Sequence, residues 1–394
     1  MKLLYISKYQ FTIRNGKTYA LPAYGNSFWQ KYLAVFDSVD VLAEEVKGYL
    51  NDGTLAQITD ERILVEILPG NTAPQDFIND GVIRKKLEEK IKDAEAILIK
   101  PSCRKGIMAI QLAKKYKKPY MIEITGDLLR TLRNHPNPLK RLYNPYLHRQ
   151  ILRAIKDCRF GLYVTERHLQ EVYPIVGKQC GCTDTVLPYI AEESLKKRIQ
   201  KIESMPADEI QIGLVGSYHD TRKGLDTAIK AVSLIKQKKA TLHVLGIGTE
   251  KDRQKWYDYA ARNGVAGKLV FDSPLAGLEE VLQWNDQMDL CILPSRSEGL
   301  PRCIVESLSR GCPNIASNVC GMPELVGDRW VHEPEDYRKL AALIEELVGD
   351  KELMKKVATE SFNHSKNYEK SVLEEKRNAF LMEFKEYCLE KAKS

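Results

Sequence analysis

The sequence predicts an α/β protein of two domains, each built around a parallel, doubly wound sheet. The chain has 394 residues, which is more than a single hydrophobic core ordinarily organises. Short aliphatic runs alternate with longer amphipathic segments, a pattern that gives parallel sheets with helices on both faces. The alternation restarts after a charged stretch at 191–209 that contains Pro206, and this restart predicts a domain boundary.

Each predicted strand is a short run of aliphatic and aromatic residues, and each predicted helix repeats its apolar residues every three or four positions. In the first domain the predicted strands lie at 3–6, 39–42, 96–99, 120–124 and 161–164, with helices at 27–36, 83–91 and 107–116. In the second domain the predicted strands lie at 210–216, 241–246, 268–271, 290–293 and 314–317, with helices at 225–236, 251–263, 277–284 and 302–309.

These elements predict a first Rossmann-like domain at 1–195 and a second at 205–361. The segment 362–394 has a charged helical pattern without a strand, and we expect it to pack back on the first domain. In doubly wound sheets, ligands bind at the carboxyl ends of the strands, where the strand order reverses. We therefore look for functional residues in the loops that follow strands.

Composition and charge exclude several classes of protein. The chain has 60 Lys and Arg against 53 Asp and Glu, and the net charge of +7 is too small to indicate nucleic acid. The nine cysteines have no regular spacing, which is typical of reduced thiols in a cytosolic protein. The close pair Cys180 and Cys182 has no second pair with which to bind zinc. We predict a cytoplasmic protein with no nucleic-acid partner.

The strongest chemical signal lies at 293–317. A predicted strand is followed by a loop that carries Glu298, and Pro301 suits the first position of a helix. Gly311 suits the position just past the end of that helix. The free N–H groups at the start of the helix predict a site for an anion or a sugar hydroxyl. Glu306, further along the helix, adds a second carboxylate.

This segment resembles the E-x7-E motif of family 4 glycosyltransferases, with Glu298 and Glu306 as the two glutamates. The sequence Cys-Gly-Met-Pro-Glu at 320–324 is similar to that family's G-G-x-P-E loop. The resemblance implies a GT-B fold, in which two Rossmann-like domains face each other across a cleft. It implies that Glu298 contacts a donor sugar and Glu306 a ribose. Further contacts to the sugar and the diphosphate are implied for the backbone of Gly299, Leu300, Pro301, Gly321 and Met322. Two solvated glutamates are the alternative.

A second motif opens the second domain and concerns the diphosphate. Family members show Val-Gly-Arg here and then Lys-Gly, and the two cations hold the dianionic leaving group. In this chain Gly216 and Lys223 match, whereas Ser217 occupies the position of the arginine. Arg222 is the candidate replacement because it precedes Lys223. By resemblance these four residues belong to the donor site and Lys223 stabilises the leaving group; for both cations a solvated loop is the alternative.

Three further candidates lie in the first domain. Gly25 and Asn26 form a turn that resembles the family's phosphate or acceptor loop, and an ordinary loop is the alternative. A histidine commonly follows the strand at 120–124 in the family, but this chain has Thr-Gly-Asp there. Asp127 is the candidate that orients an acceptor hydroxyl as a catalytic residue, and a helix cap is the alternative.

The segment 128–156 is basic and amphipathic. It contains seven Lys or Arg residues and no Asp or Glu, with tyrosines and leucines between them. Such a segment can rest on anionic lipid headgroups. We predict peripheral contact with the inner face of a membrane; a solvated basic helix or a surface for an anionic partner is the alternative.

The function that the resemblance implies is transfer of a hexosyl group from a UDP- or GDP-sugar to a hydroxyl of a glycan or lipid-linked glycan, with retention of configuration, in polysaccharide biosynthesis. The chain has no Asp-x-Asp motif, so we expect neither a metal nor another cofactor. A nucleotide-sugar epimerase of the same fold and a degenerate, non-catalytic nucleotide-sugar-binding protein are alternatives. A nicotinamide dehydrogenase is disfavoured because Gly246 and Gly248 lack the third glycine of that fingerprint.

Overall fold

The structure is a computed structural model, and it describes residues 1–45, 55–70, 78–133, 138–275 and 277–393. The chain divides into two compact units. Unit 1 comprises Met1–Cys182 with Glu374–Ser394, and unit 2 comprises Thr183–Leu373. The charged stretch at 191–209, where the sequence predicts the boundary, contains a helix at Glu192–Ser204 that belongs to unit 2.

The sheet of unit 1 has a parallel core with β1 at its centre. The described strands are β1 (Lys2–Arg14), β2 (Lys17–Ala20), β3 (Ser38–Glu45), β4 (Ala56–Gln57), β5 (Ile63–Leu68), β6 (Ala96–Ile99), β7 (Tyr120–Ile124), β8 (Phe160–Tyr163) and β9 (Lys178–Gly181). The parallel strands run in the order β5, β3, β1, β6, β7, β8, β9. The chain moves outward from β1 to β5 and then returns to β6, so the strand order reverses between β1 and β6.

The second half of β1 forms a hairpin that the sequence patterns above do not predict. It pairs antiparallel with β2, and β2 pairs antiparallel with β4. Asn15 and Gly16 have φ angles of 49° and 72°, and two successive left-handed residues are the geometry of a type I′ turn. The described helices of unit 1 are α1 (Asn26–Leu33), α2 (Asp80–Asp93), α3 (Arg104–Lys115), α4 (Leu128–Arg133), α5 (Pro138–Ile155) and α6 (His168–Val172).

The sheet of unit 2 is entirely parallel over the described residues. Its strands are β10 (Glu209–Val215), β11 (Lys239–Leu245), β12 (Leu269–Asp272), β13 (Leu290–Leu293), β14 (Asn314–Ser317) and β15 (Val331–His332). Their order is β12, β11, β10, β13, β14, β15, so the reversal falls between β10 and β13. The core of this unit includes Ile210, Ile212 and Leu214, each at most 1% exposed. Their alternation places them on one face of β10.

Helices pack around the sheet of unit 2. They are α7 (Glu192–Ser204), α8 (Leu225–Leu234), α9 (Glu250–Arg262), α10 (Leu278–Gln287), α11 (Arg302–Leu308), α12 (Met322–Val326), α13 (Tyr337–Val348) and α14 (Lys351–Ser365). The last helix, α15 (Lys370–Lys393), enters unit 1 from Glu374 onward. There it packs on Phe160 through the rings of Phe380 and Phe384. The prediction of two Rossmann-like α/β domains with parallel sheets is confirmed.

Candidate functional site

The loops after β10 and β13 lie against each other at the reversal of strand order in unit 2. Gly224 ends the first loop with a φ of 73°, in the left-handed region that favours glycine. A Cβ atom at this position would lie 1.9 Å from the carbonyl oxygen of Pro294, in the second loop. Glycine therefore allows the two backbones to touch, and topology places this contact where doubly wound sheets bind ligands.

Three other glycines allow close packing in and around the first of these loops. A Cβ atom at Gly216 would lie 2.7 Å from Cγ of Lys223, so the stem of that lysine passes over the glycine. A Cβ atom at Gly246, after β11, would lie 2.0 Å from the carbonyl oxygen of Gly216. At Gly248 it would lie 2.1 Å from the ring of Tyr218. The G-x-G pair thus packs loops of this chain together, which is a structural use that needs no dinucleotide.

Lys223 and Glu298 form an ion pair between these loops. The Nζ atom of Lys223 lies 2.7 Å from Oε1 of Glu298, and the hydroxyl of Ser295 donates to the same oxygen at 2.7 Å. The two side chains are 17% and 9% exposed. The structure thus brings together the two residues that the sequence separates by a whole βαβ series. A partly exposed ammonium and carboxylate can both bind a polar ligand.

Arg296 holds the Lys223 loop in place, and the motifs do not predict it. Its guanidinium binds Asp226 through two bonds of 2.9 and 2.7 Å and Glu335 through one of 2.7 Å. It also donates to the carbonyl of Thr221. The hydrogen bonds that Arg296 donates to Asp226 raise the pKa of Arg296 above its ordinary value, although burial opposes them. Its role is to anchor the loop.

Glu306 lies one turn into α11 and is 5% exposed. Arg302 donates to it through Nε at 2.5 Å. Burial raises the pKa of the Glu306 carboxyl, and the charge and hydrogen bond of Arg302 oppose that rise. The helix begins at Arg302, so Pro301 is the residue that precedes it and not its first residue, which corrects the sequence prediction by one position.

The backbone groups expected to bind the sugar and diphosphate are partly engaged within the chain. The N–H of Gly321 donates to the carbonyl of Gly299 at 3.2 Å, and that of Met322 donates to Val319 at 3.1 Å. Pro301 has no N–H to donate. Leu300 lies in the same loop and is half-buried. Ligand contacts at Gly299, Leu300, Pro301, Gly321 and Met322 stay a prediction.

Ser217 and Arg222 are the two positions considered for a second cation that binds the diphosphate. Neither side chain is enclosed by the loops. Ser217 is half-buried, and its hydroxyl accepts the N–H of His219 at 3.4 Å. Arg222 is exposed, while its backbone bonds to Asp220 at 2.9 Å and to Arg296 at 2.8 Å. The structure thus fixes the backbone of Arg222 and leaves its side chain in solvent.

In unit 1, Asp127 follows β7 and is 4% exposed. Its Oδ1 accepts the N–H of Arg130 at 3.2 Å, the geometry of the helix cap that the sequence leaves as an alternative. Its Oδ2 lies 3.6 Å from Nε2 of His168. Burial raises the pKa of Asp127, but hydrogen bonds from His168 and Arg130 outweigh it, and the net shift is downward. A catalytic role for Asp127 stays a prediction.

The sequence motifs miss the histidines near Asp127 because they come from other elements. His168 begins α6, and His148 lies on α5. Burial lowers the pKa of His148, which the Asp127 charge opposes. A small cavity of about 30 Å³, lined among others by Thr125, Gly126 and Tyr173, adjoins this region.

The predicted turn at Gly25 and Asn26 starts α1. Gly25 is buried and caps the helix with a φ of −68°. The Asn26 amide holds Thr59, donating to its hydroxyl at 2.6 Å and accepting its N–H at 3.1 Å. Asn26 thus fixes a neighbouring loop of unit 1, and its binding of phosphate or acceptor stays a prediction.

The described ranges contain neither a cluster of metal ligands nor a helix suited to cross a membrane. No group of three or more His, Cys, Asp or Glu in them is arranged to hold a metal ion. Cys180 and Cys182 are both buried, and burial raises the pKa of Cys180 to about 12. Within these same ranges, no helix combines the length and apolarity needed to traverse a bilayer.

Comparison with known proteins identifies the second unit. Residues 209–350 match the family model described as glycosyl transferases group 1. Over its whole length the chain is similar to Protein CapJ of Staphylococcus aureus, with 24% identity over 386 residues that cover 98% of this chain and 96% of that protein.

Solved structures match the fold of both units. A glycosyltransferase of Rickettsia africae aligns with a TM-score of 0.62 and 18% identity, covering 98% of each chain. HepE of Anabaena in complex with UDP aligns with a TM-score of 0.63 and 14% identity, covering 97% of this chain and all of that one. Residues 209–350 therefore form a group 1 glycosyltransferase domain, and the chain that carries it is a transferase whose fold is that of GT-B glycosyltransferases.

Proposed function

We propose that this chain transfers a hexosyl group from a UDP- or GDP-sugar, bound at the β10–β13 loops, to a hydroxyl of a glycan or lipid-linked glycan. The observation that carries the proposal is the pair of Lys223 and Glu298, 2.7 Å apart at the reversal of strand order. The pair is held by loops that glycine alone allows to meet. The match of this unit to a glycosyltransferase domain supports the reaction type.

The chemistry follows from the charges of these side chains. Breaking the bond between the sugar and the diphosphate leaves negative charge on the phosphate oxygen, and the Lys223 ammonium stabilises that charge. The Glu298 carboxylate accepts hydrogen bonds from sugar hydroxyls and orients the ring. The acceptor oxygen forms the new bond to the anomeric carbon, and its proton passes to the departing phosphate oxygen on the same face. This series of steps retains the configuration at the anomeric carbon and needs no metal ion.

UDP is our first candidate for the nucleotide of the donor. HepE, which shares the fold, has been solved with UDP-glucose and with UDP. GDP is the second candidate, because the motifs include no residue that contacts the base and therefore do not distinguish the two nucleotides. A polysaccharide acceptor is our further expectation.

Calorimetric titration with UDP and GDP, each with and without EDTA, tests the proposal. We expect one nucleotide to bind, with an affinity that EDTA does not change and that Glu306→Ala weakens at least tenfold. Failure of the wild type to bind either nucleotide contradicts the proposal. Incubation with the donor sugar alone then separates transfer from epimerisation, because an epimerase converts the donor without an acceptor.

A membrane-facing surface on α5 is the second part of the proposal. Leu142 and Tyr146 are 79% and 57% exposed, and Arg141, Arg149 and Arg153 are exposed on the same helix. Exposed apolar side chains among arginines suit an anionic lipid surface. We expect cosedimentation with phosphatidylglycerol vesicles and not with phosphatidylcholine vesicles, and loss of it in a Leu142→Asp, Arg149→Glu variant. Equal sedimentation with both vesicles contradicts a charge-dependent contact.

A further inference from the structure

The ion pair of Arg302 and Glu306 joins two side chains of very different exposure. Arg302 is 64% exposed, whereas the side chain of Glu306 is 7% exposed. Glu306 is therefore a buried carboxylate whose counter-charge comes from an arginine that lies largely in solvent. Removing a carboxylate from water is unfavourable without such a partner, so the pairing stabilises the site in the absence of ligand.

The contact uses one nitrogen of the guanidinium group. An arginine carries five N–H donors in a planar fork. Among the residues that the structure describes, Arg302 bonds to Glu306 through Nε. The two terminal amino groups are therefore available to a second, anionic partner. Exposure adds to this, because a solvated side chain can change rotamer without repacking its neighbours.

Two other cations of these loops, Lys223 and Arg296, already form ion pairs with carboxylates. Lys223 is bonded to Glu298, and Arg296 is bonded to Asp226 and Glu335 with only 14% of its side chain exposed. The side chain of Arg222 lies in solvent, so Lys223 and Arg296 are the cations that the loops enclose, and both are matched by carboxylates. A nucleotide diphosphate brings two or more negative charges, and a further cation that can leave its present partner would help to balance them.

Arg302 begins α11 only four residues after Glu298, whose Oε1 lies 2.7 Å from Nζ of Lys223. The start of this helix therefore directly follows the loop that carries the ion pair. Glu306, one turn further on, already receives the guanidinium of Arg302. A guanidinium that starts from this position can reach an anion bound there.

We propose that Arg302 exchanges partners when a nucleotide diphosphate binds, giving up Glu306 to the ribose hydroxyls and placing its guanidinium on the phosphates beside Lys223. This inference rests on the proposed function and deepens it by naming a diphosphate-positioning residue. The exchange replaces a single Nε contact by a forked contact to phosphate oxygens, and forked contacts of this kind are the stronger ones. The ribose hydroxyls then satisfy the buried Glu306 carboxylate.

The exchange predicts opposite effects on a nucleoside and on its diphosphate. A nucleoside competes with Arg302 for Glu306 and gains nothing from the arginine. A nucleoside diphosphate loses a phosphate contact when the arginine is removed. Truncation of Arg302 therefore weakens binding of the diphosphate and leaves binding of the nucleoside equal or stronger, which a merely structural role cannot produce.

The experiment compares UDP and GDP with uridine and guanosine on the full chain. Diphosphates are titrated calorimetrically and nucleosides by ligand-observed NMR, with wild type, Arg302→Ala, Arg302→Gln and Arg329→Ala. Arg302→Gln keeps a hydrogen-bond donor for Glu306 and guards against misfolding. Arg329→Ala is the matched control, because Arg329 is 59% exposed and has a comparable ion pair with Glu346 at 2.6 Å.

We expect the Kd of the diphosphate that wild type binds to rise at least tenfold in both Arg302 variants. The Kd of the matching nucleoside stays equal or falls, and Arg329→Ala changes neither. An unchanged diphosphate Kd, or equal weakening of nucleoside and diphosphate, overturns the partner exchange while leaving the proposed function intact. If wild type binds neither UDP nor GDP, the proposed function fails and the inference fails with it.

Discussion

The two units place polar residues at the same topological position but treat them differently. In unit 2 the reversal between β10 and β13 carries Lys223 and Glu298 at 17% and 9% exposure. In unit 1 the reversal between β1 and β6 lies beside Lys100 and Glu123, whose side chains are 4% and 2% exposed and whose charges lie 3.2 Å apart. The topology of each sheet places polar groups at the reversal of strand order. The exposure of their side chains then decides whether these groups can contact a ligand.

The network of unit 1 is satisfied from within. The Glu123 carboxylate accepts the hydroxyl of Tyr5 at 2.6 Å and that of Tyr32 at 3.1 Å, and Lys100 also bonds to Tyr9. Both oxygens of this carboxylate thus accept hydrogen bonds from side chains of the protein. We therefore interpret the cluster as structural, and the partly exposed pair of unit 2 as functional.

The largest expected effect tests that contrast in unit 1. Glu123→Ala leaves the Lys100 charge buried and unpaired, and loss of one partner of a buried pair costs about 3–5 kcal/mol. We expect the unfolding midpoint in urea, followed by circular dichroism, to fall sharply. Glu298→Ala is the counterpart in unit 2, and we expect it to cost much less stability while it weakens binding of the nucleotide-sugar donor. Equal losses of stability in the two variants would remove the contrast.

The next effect concerns the loop contact that builds the unit 2 site. Gly224→Ala introduces a Cβ atom 1.9 Å from the Pro294 carbonyl oxygen at a φ of 73°. Gly264→Ala is a matched control, because Gly264 has the same φ of 73° and an open space where the Cβ would lie. The control isolates the backbone strain of about 1–2 kcal/mol, and we expect Gly224→Ala to cost about 1–3 kcal/mol more through the forced contact.

The same pair of variants can be compared by nucleotide titration. We expect Gly224→Ala to weaken binding, since displacement of its loop moves Lys223, and Gly264→Ala to leave it unchanged. Equal stability and equal affinity in both variants would show that the loops accommodate the extra carbon, and the glycine-based account of the site would be wrong.

The fold was largely predictable because its strands are short apolar runs with sharp ends. The predicted strands at 96–99, 120–124, 290–293 and 314–317 coincide with β6, β7, β13 and β14. β9 was not predicted, since its Lys-Gln-Cys-Gly sequence is half exposed at the edge of the sheet and lacks an apolar run. The β1–β2 hairpin was missed although Asn-Gly is a strong turn signal.

The residues of the candidate site were predictable where they lie within one local sequence motif. Glu298 and Glu306 share one strand-loop-helix motif, and Arg302 stands four residues before Glu306, a helical ion-pair spacing that the sequence contains. Arg296 and Asp226 are 70 residues apart, and His168 and Asp127 lie on different elements. No local pattern signals such contacts, because tertiary packing alone creates them.

A smaller effect is a change in the pH dependence of stability at Glu306. Burial raises the pKa of this carboxyl, so the folded state favours its protonated form. The resulting contribution to stability is present below the pKa of the unfolded chain and is lost as the pH rises through the folded pKa. We expect Glu306→Gln to gain stability relative to wild type between pH 4 and 7, by about 1 kcal/mol. Urea unfolding at both pH values measures this, and a constant difference contradicts it.

The smallest expected effect is that of truncating Arg222, and it separates the role of this arginine from that of Arg302. The Arg222 side chain is exposed, and its loop is held by backbone bonds to Asp220 and Arg296 that a side-chain truncation leaves in place. Arg222→Ala should therefore change stability by less than about 0.5 kcal/mol, as surface substitutions do. We expect the Kd of UDP or GDP to change less than about threefold, which is within about 0.7 kcal/mol. A tenfold rise here, with no rise in Arg302→Ala, would make Arg222 the second diphosphate cation. Both arginines are exposed, and each adjoins one of the two loops that carry Lys223 and Glu298. This reversal would therefore show that position in the loop, rather than release from Glu306, governs how the site recruits positive charge.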